Sequence, residues 1–177
     1  GDCGRGCGSS LRARTLWLIS IALTLATIVV YWSVWNFDFV NFDDPSYVRN
    51  SPLMEEGFSL STLGRSFATI QLANWHPLTT LTYLLERQAF GLKSAGPYHA
   101  FNLAVHIINT ILLLVLLERM TALIWPSAIV AALFALHPLH VESVAWIAEL
   151  KDVLSGLFFM LTLLAYVAYA TATIVTR

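Results

Sequence analysis

The run Thr15–Trp35 carries no charged side chain and is almost wholly apolar. As an α-helix it would be roughly 31 Å long at 1.5 Å per residue, the thickness of a bilayer's hydrocarbon core. Further apolar stretches follow, and spans are expected at about 15–36, 98–118, 122–137 and 153–173. The whole chain agrees with them. It is 57% hydrophobic and 12% charged, with a mean hydropathy of +0.68, where ordinary globular domains carry about 25% charged residues. A soluble core of this size could not hide so much apolar surface. The expected class is an all-α integral membrane protein: about four transmembrane helices plus an outer interfacial amphipathic helix, read as a fragment of a larger multi-span fold. A net charge of −1 leaves no basic face for nucleic acid.

Residues 1–14 are Gly/Ser-rich and carry Arg5, Arg12 and Arg14. Positive charge before a first span marks its cytoplasmic end. The reading is therefore a cytoplasmic stub over 1–14 and a membrane domain over 15–177. The loop 37–97 and the segment 138–152 then fall outside the cytosol, and Arg119 and Arg177 inside. A multi-pass protein of the bacterial inner membrane or the endoplasmic reticulum fits this pattern. The first apolar run is too long for a signal-peptide core, and no small-x-small cleavage site follows it. Cys3 and Cys7 could form a small disulfide, bind a metal or stay free, but two thiols alone do not close a zinc site.

Within the outer loop, 76–92 is amphipathic. Leu78, Leu81, Leu85, Ala89 and Leu92 recur at helical spacing, opposite a stripe of Thr79, Thr82, Tyr83 and Glu86. It is too short and too charged to span, so it is placed in the interface. Gly91 and Gly96-Pro97 are read as its breakers. Trp32, Trp35, Trp75, Trp125 and Trp146 sit near the expected span ends, as an aromatic belt would.

Two polar clusters come out on one side of the membrane. The first is Asp43-Asp44, just past the first span, with His76. Adjacent carboxylates repel, and one has a raised pKa unless a cation or proton sits between them. The plain alternative is a capping Asp with Pro45 as the first helical residue. The second cluster is His137-Pro138-Leu139-His140-Val141-Glu142, followed by Glu149, Lys151 and Asp152. Acids and histidines gathered at one face of an apolar protein suggest a site. Glu142, His137 and His140 are metal-ligand types, and a divalent cation, Mg or Mn, is one possibility; hydrogen bonding and capping is the other. In the second span His99, Asn102, His106 and Asn109 share one stripe, where polar residues normally bond to neighbouring helices.

Taken together these segments resemble a known family. They are Phe42-Asp43-Asp44 after the first span, Trp75-His76-Pro77-Leu78 opening the interfacial helix, His137 through Trp146, and Lys151-Asp152-Val153-Leu154-Ser155. They resemble the N-terminal part of C-type membrane glycosyltransferases, in particular the transmembrane and tetratricopeptide-repeat proteins related to protein O-mannosyltransferases. The resemblance covers about 36 to 170. It implies a transfer of sugar, mannose above all, from a polyprenyl or dolichyl phosphate to Ser/Thr hydroxyls of a protein acceptor on the non-cytoplasmic side. It implies catalytic roles for Asp43 as general base, for Asp44 and for Glu142. Contacts to the donor phosphate fall to His76, Lys151, Arg49 and His140. The family pair is Asp-Glu, so Asp44 is one methylene shorter, and the family's His-Pro-Pro-Leu lacks one proline here. Many more spans and a repeat array belong to the family and lie outside these 177 residues. Two other readings stay open, a non-catalytic assembly subunit and a membrane metallohydrolase.

Overall fold

The computed structural model describes residues 3–72 and 74–175, with side chains over 10–72 and 74–173. The side chains of Cys3, Arg5 and Cys7, and the whole of Arg177, lie outside the described residues. The described residues are helical, with eight α-helices: α1 Cys3–Val30, α2 Pro52–Glu56, α3 Leu60–Ala68, α4 Pro77–Phe90, α5 Gly96–Thr121, α6 Ile124–Leu136, α7 Val141–Ala145 and α8 Leu150–Val175. The stretches Ser10–Val30, Gly96–Thr121 and Ile147–Thr173 are long and apolar enough to cross a membrane. A fourth crossing is available if α6 and Pro138–Ala145, bent by 49°, form one broken span. The protein is an all-α integral membrane protein.

The observed boundaries depart from the expected ones in ways that follow from local chemistry. The first helix starts inside the expected stub, because Leu11-Arg12-Ala13-Arg14 are good helix formers. Its α-turns stop at Val30, and Trp32–Asn36 tightens into a 3₁₀ helix, a usual way to finish a helix. Gly96-Pro97 does not break a helix but starts α5; a proline in the first turn loses no hydrogen bond. The turn after α5 places Ala122 at φ 59, and its N–H returns to the Glu118 carbonyl at 2.8 Å. Helix α6 stops at Leu136, with His137 extended before Pro138, as that proline requires. The segment after it was expected to be helical from Pro138 onward. It is instead broken: a 3₁₀ turn over Pro138–His140, α7, an extended Trp146, then a 3₁₀ turn over Ile147–Glu149.

The chain divides into two units, 1–31 with 106–140 and 156–177, and 32–105 with 141–155. In the first, α1 packs against α6, and Leu23, Leu114 and Ala131 form a small core with Leu16, Ile19, Ala128 and Ala132 around it. Arg12 is paired with Glu118, so the start of α1 and the end of α5 lie side by side and the two helices run antiparallel. Gly156 of α8 allows Asn109 to approach; a Cβ there would lie 3.1 Å from the amide nitrogen.

In the second unit α4 is flanked by α2, α3 and the turn Pro45–Arg49. It ends on Gly91 at φ 67, so the helix is 77–90, slightly shorter than the expected 76–92. Its polar stripe faces the protein and its apolar stripe faces out. Thr79, Thr80, Tyr83 and Glu86 are buried, while Leu78 and Leu85 are 47% and 52% exposed. That arrangement suits a helix at a lipid boundary, where exposing leucine costs nothing. Helix α3 opens with a capping box, Ser59 Oγ accepting from the Thr62 N–H at 3.1 Å and Thr62 Oγ1 from the Ser59 N–H at 2.8 Å.

Candidate functional site

Asp44 occupies the N-cap position of the Pro45–Arg49 turn, with Pro45 as the first residue, yet its side chain does not cap that turn. The carboxylate is completely buried and reaches elsewhere. One oxygen accepts the Val40 N–H at 2.8 Å. The other accepts the Ala148 N–H at 3.0 Å, from a residue 104 positions further along the chain. Burial raises the Asp44 pKa above its ordinary value; the two backbone N–H groups and the nearby His99 ring pull the other way. Asp44 is thus the clasp that joins the first loop to the second motif.

Its neighbour Asp43 is different. Its carbonyl accepts the Ser46 and Tyr47 N–H groups at 2.9 and 3.1 Å, which fixes the backbone. The side chain is half-buried and is left available. Phe42, on the other side of Asp43, meets the Trp146 ring at 6.2 Å. The two carboxylates that sequence presents as an equivalent pair are thereby split into one held group and one presented group.

The second motif is shaped to fit. Asn102 of α5 donates its amide to the Trp146 carbonyl at 2.9 Å, which stabilises the extended residue between α7 and the following turn. Tyr83 of α4 donates its hydroxyl to the Ile147 carbonyl at 2.7 Å. Both act where the helix is interrupted and backbone carbonyls need donors. His99 is fully buried, meets Phe37 edge-on at 5.9 Å and has the Asp38 and Ala145 carbonyls near its ring. Spacing alone grouped His99 with the packing residues of α5; the fold sets it next to Asp44.

The candidate phosphate partners separate. His76 occupies the N-cap position of α4 without a side-chain capping bond, half-buried, 5.2 Å from the Tyr47 ring and 3.5 Å from Thr80 Oγ1 through its Nδ1. Its Nε2 makes no hydrogen bond among the described residues. Burial lowers the His76 pKa, and the Lys151 ammonium lowers it further, so the ring is neutral and Lys151 is its neighbour. Lys151 is itself paired with Glu149 at 2.7 Å and donates to the Ala148 carbonyl at 3.3 Å. Arg49 lies over the Phe39 ring, 5.5 Å from its centroid. His140 belongs to the first unit and packs on Phe134 at 4.6 Å and on His106 at 5.6 Å.

Glu142 is exposed in the first turn of α7. Its carbonyl accepts the Trp146 N–H at 3.1 Å, so the two residues are one turn apart. His137 and His140 make a 3₁₀ step, with the Leu139 N–H bonded to His137 Nδ1 at 3.2 Å. His106 gives its Nε2 to the Ala135 carbonyl at 3.1 Å, a carbonyl at the end of α6 just before Pro138 interrupts the ladder. Among the described residues no group of three or more His, Cys, Asp or Glu side chains is placed to hold a metal ion.

No family model matches the sequence, and no solved structure matches it. Curated relatives do. A protein O-mannosyl-transferase of Caenorhabditis elegans is 31% identical over 170 residues, 90% of this chain and 24% of the relative. Protein O-mannosyl-transferase TMTC3 of Mus musculus is 30% identical over 157 residues, 81% of this chain and 16% of the relative. Protein O-mannosyl-transferase TMTC1 of Homo sapiens is 29% identical over 171 residues, 92% and 19%. The chain spans about a quarter or less of the length of these relatives. Along most of its own residues, the chain is similar to protein O-mannosyl-transferases, TMTC1 and TMTC3 among them.

Proposed function

We propose that this chain forms part of a protein O-mannosyl-transferase and contributes Asp43 as the general base. One observation carries the reading. The buried Asp44 clasps Val40 and Ala148, while the adjacent Asp43 carboxylate stays half-exposed on the same fixed loop. A general base must be rigidly held and reachable by the proton it removes.

The donor in this reading is a mannosyl polyprenyl phosphate, and the acceptor is a Ser or Thr hydroxyl of a protein. The hydroxyl oxygen attacks C1 of the sugar and its proton passes to Asp43. The bond from C1 to the phosphate oxygen breaks, and polyprenyl phosphate leaves with the electron pair. His76 holds a buried Nε2 without a hydrogen-bond partner among the described residues, a donor that a small movement of the ring would turn to the departing phosphate. Lys151 adds positive charge, moderated by Glu149. A lipid-borne donor calls for a site at the bilayer surface, and the outward leucines of α4 suit that position. The arginines before the first span support a loop on the non-cytoplasmic side, which in a eukaryote is the lumen of the endoplasmic reticulum.

The test is Asp43→Asn in the full-length enzyme with mannosyl polyprenyl phosphate and a peptide acceptor. Turnover falls by about 10²- to 10⁴-fold while membrane insertion is unchanged. Wild-type turnover in Asp43→Asn refutes the assignment.

A further inference from the structure

The second unit holds a groove of about 330 Å³ that the catalytic reading does not use. One wall comes from the segment after Asp43, with Ser46, Asn50 and Ser51. The other comes from the chain between α3 and α4, with Thr69, Ile70 and Gln71. Gln71 joins the walls, donating its amide to Ser51 Oγ at 3.2 Å.

Each wall is one hydrogen bond from a neighbour of the proposed machinery. Ser46 donates its N–H to the Asp43 carbonyl at 2.9 Å, so this wall begins one turn from the presented carboxylate. On the opposite side the Thr80 hydroxyl donates to Gln71 Oε1 at 3.4 Å and lies 3.5 Å from His76 Nδ1. A molecule lying in the groove would run between the loop of Asp43 and the residue that contacts the phosphate.

The lining states what that molecule is. The groove's surface is mainly apolar, from Pro52, Leu53, Ile70 and Leu72, with neutral hydroxyl and amide groups set among them; the first suit the side chains of a polypeptide and the second its N–H and C=O groups. Among the described residues the one cation lining it, Arg65, is already paired with Glu56, so a phosphate or lipid headgroup finds no free positive charge there. Thr69 is extended at φ −103 and ψ 134, the geometry in which a strand can add to a backbone edge. Ile70 is 66% exposed and offers an apolar contact for an alternate side chain.

We propose that this groove binds the acceptor polypeptide, as an extended segment that delivers its Ser or Thr to Asp43. The inference rests on the transferase reading above, and two independent readouts keep the two apart. The first is photo-crosslinking in the full-length enzyme from a photoreactive residue at position 70 to a short synthetic peptide with a single threonine. The peptide crosslinks, and excess unlabelled peptide suppresses it, whether or not transfer occurs. The second is steady-state kinetics of Asn50→Ala combined with Ile70→Ala. The acceptor KM rises about tenfold, the loss of roughly 1.4 kcal/mol of contacts, while kcat and the donor KM stay unchanged. Mannose transfer without competable crosslinking, or with an unaltered acceptor KM, overturns the groove and leaves the activity standing. Competable crosslinking in an enzyme that transfers no mannose upholds the groove as a peptide site and overturns the activity. A donor KM that rises in step with the acceptor KM assigns the groove to the lipid donor and overturns the proposal.

Discussion

Glu86 gives the most quantitative test of the fold around α4. Its carboxyl is buried on the inward face of the helix, and neither oxygen has a hydrogen-bond partner among the described residues. Burial raises its pKa from 4.5 to about 8. The folded protein therefore keeps the proton over a range in which the unfolded chain has lost it. Stability from this group is full below pH 4.5 and is lost progressively until pH 8, at 1.36 kcal/mol per pH unit. From pH 5 to 8 the loss is about 4 kcal/mol. At about 2–4 °C per kcal/mol for a protein of this size, it lowers the melting temperature by roughly 8–16 °C. Glu86→Gln keeps the shape and cannot ionise. The measurement is the tryptophan-fluorescence melting temperature of the purified protein in detergent, wild type and Glu86→Gln, from pH 5 to 8.5. The variant matches wild type at pH 5 and melts progressively higher than it as pH rises, with turnover at neutral pH unchanged. Parallel curves across the range would refute the burial of an unpaired carboxyl at this position.

Two further outcomes are expected. Gly96→Ala would set a Cβ 2.6 Å from the Trp35 backbone carbonyl, so the melt should show a cost of about 1–3 kcal/mol; a wild-type melt denies the close approach. Glu142→Gln, at an exposed position, should leave the melt within about 0.5 kcal/mol and lower turnover, with chelator having no effect. Full turnover in that variant removes Glu142 from the site, and chelator inhibition reversed by Mn²⁺ shows that a metal is held.

The spans were legible because hydropathy over some twenty residues is a strong, local signal. Their ends were not, since a 3₁₀ finish at Trp32–Asn36 or a Gly-Pro helix start depends on how the chain continues in space. The amphipathic period of α4 was equally plain, and the outward turn of its leucines follows once the surroundings are lipid. The Asp43-Asp44 pair could be singled out, but not the difference between its members. That difference comes from a backbone N–H at Ala148, and backbone donors leave no mark on a sequence. His99 was hidden for a related reason. Its spacing in α5 is that of the packing residues Asn102 and His106, and only the fold sets it against Asp44. The groove between Ser46 and Gln71 draws on positions that are unremarkable one at a time.

The clasp on Asp44 also has a timetable. Its second donor is synthesised 104 residues after the carboxylate, which at 5–20 residues per second is roughly 5–20 s of translation. Until then the first loop holds an acidic group whose permanent partner has not left the ribosome, while α5 and α6 are still entering the membrane. The loop therefore cannot settle before the segment after α6 arrives. A chain truncated short of Ala148 leaves the Asp44 carboxylate without this donor, and a completed one supplies it.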